Sequence, residues 1–221
     1  MDLYLRKKIE HTNLKPDASK EDIKKTIDES IKYGFYGVCI PPCYVSYAKK
    51  LTKDTNIKII TVIGFPNGYN KIKTKLIEAM ESYNDGADEI DIVWNISLFK
   101  SRQYEYVLEE LKTIISYTKG ITHKVIVETA YLTEEEKRKA VEIVIQSGAE
   151  YIKTSTGFAL SGAKLGDVKL FKELSNGKIK IKASGGIRDF ETALKFLEAG
   201  ADKIGTSSGV KIIEDARKRN S

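Results

Sequence analysis

The sequence predicts a single-domain α/β fold, a (β/α)8 or TIM barrel with a short N-terminal helix, and three observations lead there. Short β-branched runs alternate with longer amphipathic segments along the whole chain. A helix-to-strand junction of the form Gly-Ala-acid recurs in SYNDGADEIDIV, IQSGAEYIKTS and LEAGADKIGTS. No linker-like stretch interrupts the alternation, so residues 1–221 read as one domain, and 41% hydrophobic content supplies one sizeable core.

The elements follow in order. After a short N-terminal helix, Ile9 to Asn13 reads as the first strand. Ser19 with Asp22 opens a helix whose apolar side carries Ile23, Ile27 and Ile31, and Gly34 ends it. Gly37 to Ile40 and Lys58 to Gly64 are the second and third strands; Gly86 ends the next helix before the fourth, Glu89 to Asn95. Val107, Leu108, Leu111, Ile114 and Ile115 mark the helix leading to the fifth strand, Lys124 to Thr129. Thr133 with Glu136 forms a capping box, and Gly148 closes that helix before the sixth strand, Tyr151 to Ser155. Ile179 to Ala183 is the seventh strand, Gly200 ends the helix after it, and Lys203 to Thr206 is the eighth. Eight buried parallel strands close a barrel.

Aligning the helix-ending glycines places Cys39, Asp91, Lys153 and Gly205 each five residues after Gly34, Gly86, Gly148 and Gly200. These positions fall on strands two, four, six and eight, and alternate strands share one interior layer of a barrel. Asp91 and Lys153 are therefore expected to face each other inside, with Cys39 completing the wall and Gly205 leaving an opening.

Composition narrows the function. The 37 basic and 31 acidic residues give a formal charge of +6, but they are interleaved rather than gathered, which argues against nucleic acid and suits capture of anionic metabolites. No apolar run approaches the roughly 20 residues that span a bilayer, and MDLYLRKKIEHTN lacks a signal-peptide core, so a soluble cytoplasmic protein without a membrane partner is expected. Cys39 and Cys43 form a C-x3-C pair that matches no common zinc spacing, and His11 and His123 stand far apart, so no metal site is expected.

Lys153 sits mid-strand in YIKTSTGF, where a buried ammonium is costly. It is either a structural partner of Asp91 or, as the favoured reading, a nucleophilic amine. Lowering a lysine from about 10.4 to roughly 7–8 raises its free amine about a thousandfold at neutral pH. Lys182, in IKIKASGGIR, supplies part of that shift by repulsion or else contacts phosphate, and Asp91 balances charge and moves protons. Gly185-Gly186-Ile187-Arg188 and Gly205-Thr206-Ser207-Ser208-Gly209 follow the last two strands, where barrels often bind phosphate; the alternative is simple tight turns. Thr156 and Gly157 are expected to complete this cradle, and Phe158 to cover the pocket.

EHTNLKP, YGVCIPP, TVIGFPNG, GADEIDIVWN, YIKTSTGF, KASGGIR and KIGTSSGVKI occur in this order, and with them the chain resembles the deoxyribose-phosphate aldolase family along nearly its whole length. The resemblance implies that Lys153 is the Schiff-base lysine, Asp91 the proton-transfer carboxylate and Lys182 the second lysine that tunes the site. It implies reversible cleavage of 2-deoxy-D-ribose 5-phosphate to D-glyceraldehyde 3-phosphate and acetaldehyde, with no metal or organic cofactor, in a homodimer or homotetramer. The substrate-binding set expected with it is Thr12, Cys39, Thr156, Gly157, Gly185, Gly186, Gly205, Ser207 and Ser208. Three positions depart from the family pattern. Glu10 replaces an aspartate and is expected to adjust only the surroundings of the site, Pro41 replaces an asparagine, and Ala159 to Lys164 lacks the usual glycine-threonine character. Lys164 is either a phosphate contact or a solvent-facing side chain. Two alternatives stand beside this reading: a Schiff-base aldolase for another sugar phosphate, and a silent barrel that binds sugar phosphates.

Overall fold

The computed structural model describes residues 2–219. Its eight strands are β1 (Ile9–Thr12), β2 (Gly37–Ile40), β3 (Lys58–Ile63), β4 (Glu89–Val93), β5 (Thr122–Ile126), β6 (Tyr151–Lys153), β7 (Lys180–Ser184) and β8 (Lys203–Thr206). All neighbours pair in parallel, and β8 returns to β1 to close the barrel that the sequence predicts. Around it lie α1 (Asp2–Arg6), α2 (Lys20–Tyr33), α3 (Val45–Leu51), α4 (Ile72–Asn84) and α5 (Ile96–Lys100), then α6 (Tyr104–Tyr117), α7 (Glu134–Ser147), α8 (Leu165–Ser175), α9 (Phe190–Glu198) and α10 (Gly209–Lys218).

Local chemistry sets these boundaries. Ser19 and Thr133 both head complete capping boxes, with Asp22 and Glu136 reaching back to the cap N–H groups. Gly34 and Gly148 close α2 and α7 with φ of +66° and +84°, a backbone region that costs a side chain about 1 kcal/mol or more. Ile23 and Ile27 are buried on α2, but Ile31 is exposed; the buried face instead runs through Thr26, Ser30 and Tyr33. A strict i+4 series drifts about 40° per step around a helix of 3.6 residues per turn, so the third isoleucine leaves the contact stripe.

Most strands end in the ladder before their apolar runs do. β6 stops at Lys153 instead of Ser155, and β5 occupies Thr122 to Ile126 instead of Lys124 to Thr129. Backbone pairing nevertheless continues above them, from Val127 N–H to Lys153 O at 3.1 Å and from Thr129 N–H to Thr154 O at 2.9 Å. The ends of these runs therefore become walls of the barrel mouth. Trp94 helps hold that end together, stacking on Phe99 at 4.3 Å and donating its indole N–H to Val127 O at 3.1 Å.

The main apolar core fills the shell between sheet and helices. Inside the barrel the two sides differ. Cys39, Ile60 and Val62 form a small apolar patch on β2 and β3, backed by Leu14 and Phe65. The remaining interior carries buried Glu10, Glu89, Asp91, Lys124, Lys153 and Lys182.

Candidate active site

The layer predicted from the glycine repeat forms: Lys153 Nζ on β6 donates to Asp91 Oδ2 on β4 at 2.8 Å, with β5 between the two strands. Lys182, the register partner of Lys153 on β7, donates to the same oxygen at 2.6 Å and also pairs with Glu10. Lys124, the register partner of Asp91 on β5, donates to Asp91 Oδ1 at 3.0 Å, pairs with Glu89, and lies 3.5 Å from Glu10. Three ammoniums and three carboxylates thus interlock where unpaired charges would be untenable.

Electrostatics follow from that packing. Burial alone would push the Asp91 carboxyl up, but Lys124, Lys153 and Lys182 outweigh it and hold Asp91 well below the usual carboxylate range. Burial would likewise lower Lys124 and Lys182; Asp91 and Glu10 reverse this for both, with Glu89 adding to Lys124, and both amines lie above their ordinary value. Lys182 is thereby a firmly charged partner of two carboxylates. Burial also pushes the Cys39 thiol up.

Above this network opens a cavity of about 770 Å³ at the C-terminal ends of the strands. Lys153 reaches it, whereas Asp91 and Lys182 lie fully buried underneath. Thr12, Thr156, Gly157, Gly185, Gly186, Gly205, Ser207 and Ser208 are brought together along its lining. Cys39 is not among them: it is sealed in the apolar patch with Ile60 and Val62, because the β2 wall at its height lies within the packed interior. The opening expected at Gly205 is occupied from the side, since a Cβ there would stand 3.0 Å from Lys182 Cε and 3.0 Å from Ser184 Cβ. Gly205 provides the room through which the Lys182 stem passes.

Two loops face each other across the cavity. Thr206 Oγ1 donates to Ile187 O at 2.6 Å, tying the β8 loop to the β7 loop. Gly185 and Gly186 take φ of +87° and +82°, and Gly162 lies against Gly185 so closely that a Cβ on it would fall 2.2 Å from Gly185 O. Ala163 N–H donates to Ser184 O and Gly185 O, both at 3.1 Å, so the departing segment after the lysine motif braces the β7 loop. Lys164 is exposed just before α8 and lies in the lining of neither the 770 Å³ cavity nor its smaller neighbour. Ser208 precedes α10 without capping it through its side chain, leaving free N–H groups beside the cavity, with Arg188 and Lys211 on its rim. This end of the barrel is suited to an anion.

Glu10 overturns one expectation, since its carboxylate touches Lys182 directly instead of acting from the surroundings. Lys124 and Glu89 were missed. Lys124 gave the same signal as Lys153, a lysine inside an apolar run, but it stood at the head of its predicted strand, where a lysine ordinarily snorkels to water.

The family description "DeoC/LacD family aldolase" matches residues 7–215. The chain belongs to this family of aldolases. It is 52% identical over 216 residues to a deoxyribose-phosphate aldolase of Aquifex aeolicus, covering 98% of each protein. It is 48% identical to a deoxyribose-phosphate aldolase of Thermococcus gammatolerans, over 96% of each chain. The structure of the deoxyribose phosphate aldolase from Aeropyrum pernix, described as a unique tetramer, superposes with a TM-score of 0.91 at 34% identity, over 97% of this chain and 92% of that one. As a member of the DeoC/LacD family the protein is an aldolase, a carbon–carbon lyase. Among the described residues no helix is long and apolar enough to cross a membrane, and no group of three or more His, Cys, Asp or Glu is placed to hold a metal ion.

Proposed function

We propose that this aldolase reversibly cleaves 2-deoxy-D-ribose 5-phosphate into D-glyceraldehyde 3-phosphate and acetaldehyde through an imine on Lys153. The observation that carries this reading is that Lys153 is the amine of the buried network that reaches the cavity, with Asp91 directly behind its Nζ. The relatives named for deoxyribose phosphate support the substrate.

In the proposed sequence Lys153 gives up one proton, its amine adds to the C1 aldehyde, and return of that proton to the carbinolamine oxygen lets water leave, giving a protonated imine. The C3 hydroxyl gives up its proton to Asp91 or to a water beside it, and the C2–C3 bond breaks. Its electron pair moves into the imine as an enamine while C3 becomes the aldehyde of glyceraldehyde 3-phosphate. Protonation at C2 and hydrolysis release acetaldehyde and restore the amine. The iminium keeps a positive charge where the Lys153 ammonium stood, so the balance of three cations against three anions is unchanged at the intermediate. With its pKa held low, Asp91 is chiefly the anion that matches this charge and only a transient proton carrier.

The phosphate is assigned to the β7 and β8 loops and the start of α10, where backbone N–H groups, Arg188 and Lys211 converge. A homo-oligomer in the cytoplasm completes the reading, the tetrameric Aeropyrum pernix relative supporting the assembly. Acetaldehyde release from deoxyribose 5-phosphate, compared with cleavage of fructose 1,6-bisphosphate, tests the assignment. Clear preference for the pentose phosphate is expected; preference for the bisphosphate sinks it.

A further inference from the structure

Glu128, just beyond the end of β5, has no place in the chemistry above, yet it is buried at the barrel mouth. Its backbone adopts φ +53° and ψ +71°, a left-handed conformation unfavourable to a residue with a Cβ. The two backbone bonds that continue the ladder, from Val127 to Lys153 and from Thr129 to Thr154, stand on either side of it. At this turn its Oε2 accepts the Thr156 N–H at 3.1 Å and the Thr156 hydroxyl, while Oε1 has no partner. The same hydroxyl oxygen accepts Phe158 N–H at 3.1 Å, so one carboxylate oxygen organises three consecutive residues of the loop that follows Lys153.

That loop is a partition. Thr156 and Phe158 line both the 770 Å³ cavity and a second one of about 260 Å³. The second chamber is walled by Pro66, Tyr69, Ile96 and Tyr131, and Phe158 meets Phe65 edge to face at 5.2 Å. One chamber is edged by the β7 and β8 loops assigned above to phosphate; the other is mainly apolar and aromatic, with Asn67, Ser97 and Glu128 among its walls, and the Thr156-Gly157-Phe158 segment lies between them. Burial raises the Glu128 carboxyl, and the bonds from Thr156 and the nearby Lys153 charge oppose this rise.

We propose that Glu128 is a positioning residue: through Thr156 it fixes the partition that holds the substrate's phosphorylated end in the larger chamber and so sets the preference for phosphorylated over unphosphorylated sugars. This rests on the proposed aldolase reaction. A packing role alone would be met by an apolar side chain of similar size, without an unpartnered buried oxygen or an unfavourable backbone.

Glu128→Gly and Glu128→Gln test it. Glycine adopts the left-handed backbone freely but removes both bonds, whereas the glutamine amide oxygen can still accept them. For E128G we expect KM for deoxyribose 5-phosphate to rise about tenfold or more while kcat stays within about threefold. Its preference over unphosphorylated deoxyribose should fall by the same factor, with borohydride trapping of acetaldehyde on Lys153 unimpaired. E128Q should stay within about threefold of the unaltered enzyme on every measure. An unchanged KM in a folded E128G overturns the proposal, as does loss of trapping or of kcat, or an E128Q as impaired as E128G. Should E128G fail to fold, Glu128→Asn probes the same link, since asparagine tolerates the left-handed backbone but is too short to hold Thr156: a raised KM at retained kcat supports it and an unchanged KM overturns it. If the unaltered protein fails to cleave deoxyribose 5-phosphate the functional reading falls; if it cleaves and the KM of E128G is unmoved, the role of Glu128 alone falls.

Discussion

Asp91 is the hub of the molecule, because its two oxygens accept all three interior lysines. Removing one member of such a network leaves a buried charge without its partner, which costs far more than the intact pair contributes. Lys124→Met leaves Glu10, Glu89 and Asp91 facing only two ammoniums. It should lower unfolding stability in denaturant by about 3–5 kcal/mol. A change below about 1 kcal/mol would show that the network does not depend on Lys124. Lys203, at the first position of β8, behaves differently: burial outweighs the pull of Glu10 and Glu89 and lowers its pKa to about 8, and its Nζ donates to Lys7 O at 3.0 Å. A lysine whose folded pKa lies below its unfolded value of about 10.4 binds fewer protons when folded between those two pH values, so stability must rise with pH across that window. Unfolding at pH 8 and pH 10 should show this rise in the parent protein and a smaller one in Lys203→Met; equal slopes would contradict it. Sequence made Lys153 legible because a lysine inside an apolar, β-branched run is costly to bury without a partner. Lys124 was hidden by a boundary error of two residues: with β5 beginning at Thr122, it lies within the strand instead of at its edge.

At the scale of elements, the alternation of apolar runs located every strand, and the Gly-Ala-acid junction fixed the register of the even strands well enough to bring Asp91 onto Lys153. It said nothing of the odd strands, which lack the junction, and from these come Glu10, Lys124 and Lys182. The same repeat put Cys39 at the right height but could not show that the β2 wall there is closed by Ile60 and Val62. Gly205 is the element-level device that lets β7 and β8 share one interior volume, since the Lys182 stem fills the space a side chain would take. Gly205→Val adds a branched group where even a methyl would press on Lys182 Cε and Ser184 Cβ. Displacing Lys182 from Asp91 and Glu10 should reduce the rate of aldol cleavage about tenfold or more at a destabilisation of about 1–3 kcal/mol. Full activity in steady-state assays would mean that Lys182 is free to move without consequence.

The whole molecule divides its work between two ends and an interior. The helical shell supplies the apolar burial that stabilises the barrel. This supports an interior devoted half to a small apolar patch and half to paired charges. The C-terminal rim carries the larger chamber, edged by the β7 and β8 loops, and beyond the Thr156-Gly157-Phe158 segment a smaller, mainly apolar one. The proposed imine on Lys153 would replace an ammonium by an iminium and leave the balanced set of three cations and three anions intact. Incubation with acetaldehyde and borohydride, followed by peptide mass spectrometry, measures it most directly. One reduced two-carbon adduct on Lys153, absent in an inactive Lys153→Ala variant, is the expected result; no adduct, or an adduct elsewhere with Lys153→Ala still active, would contradict it.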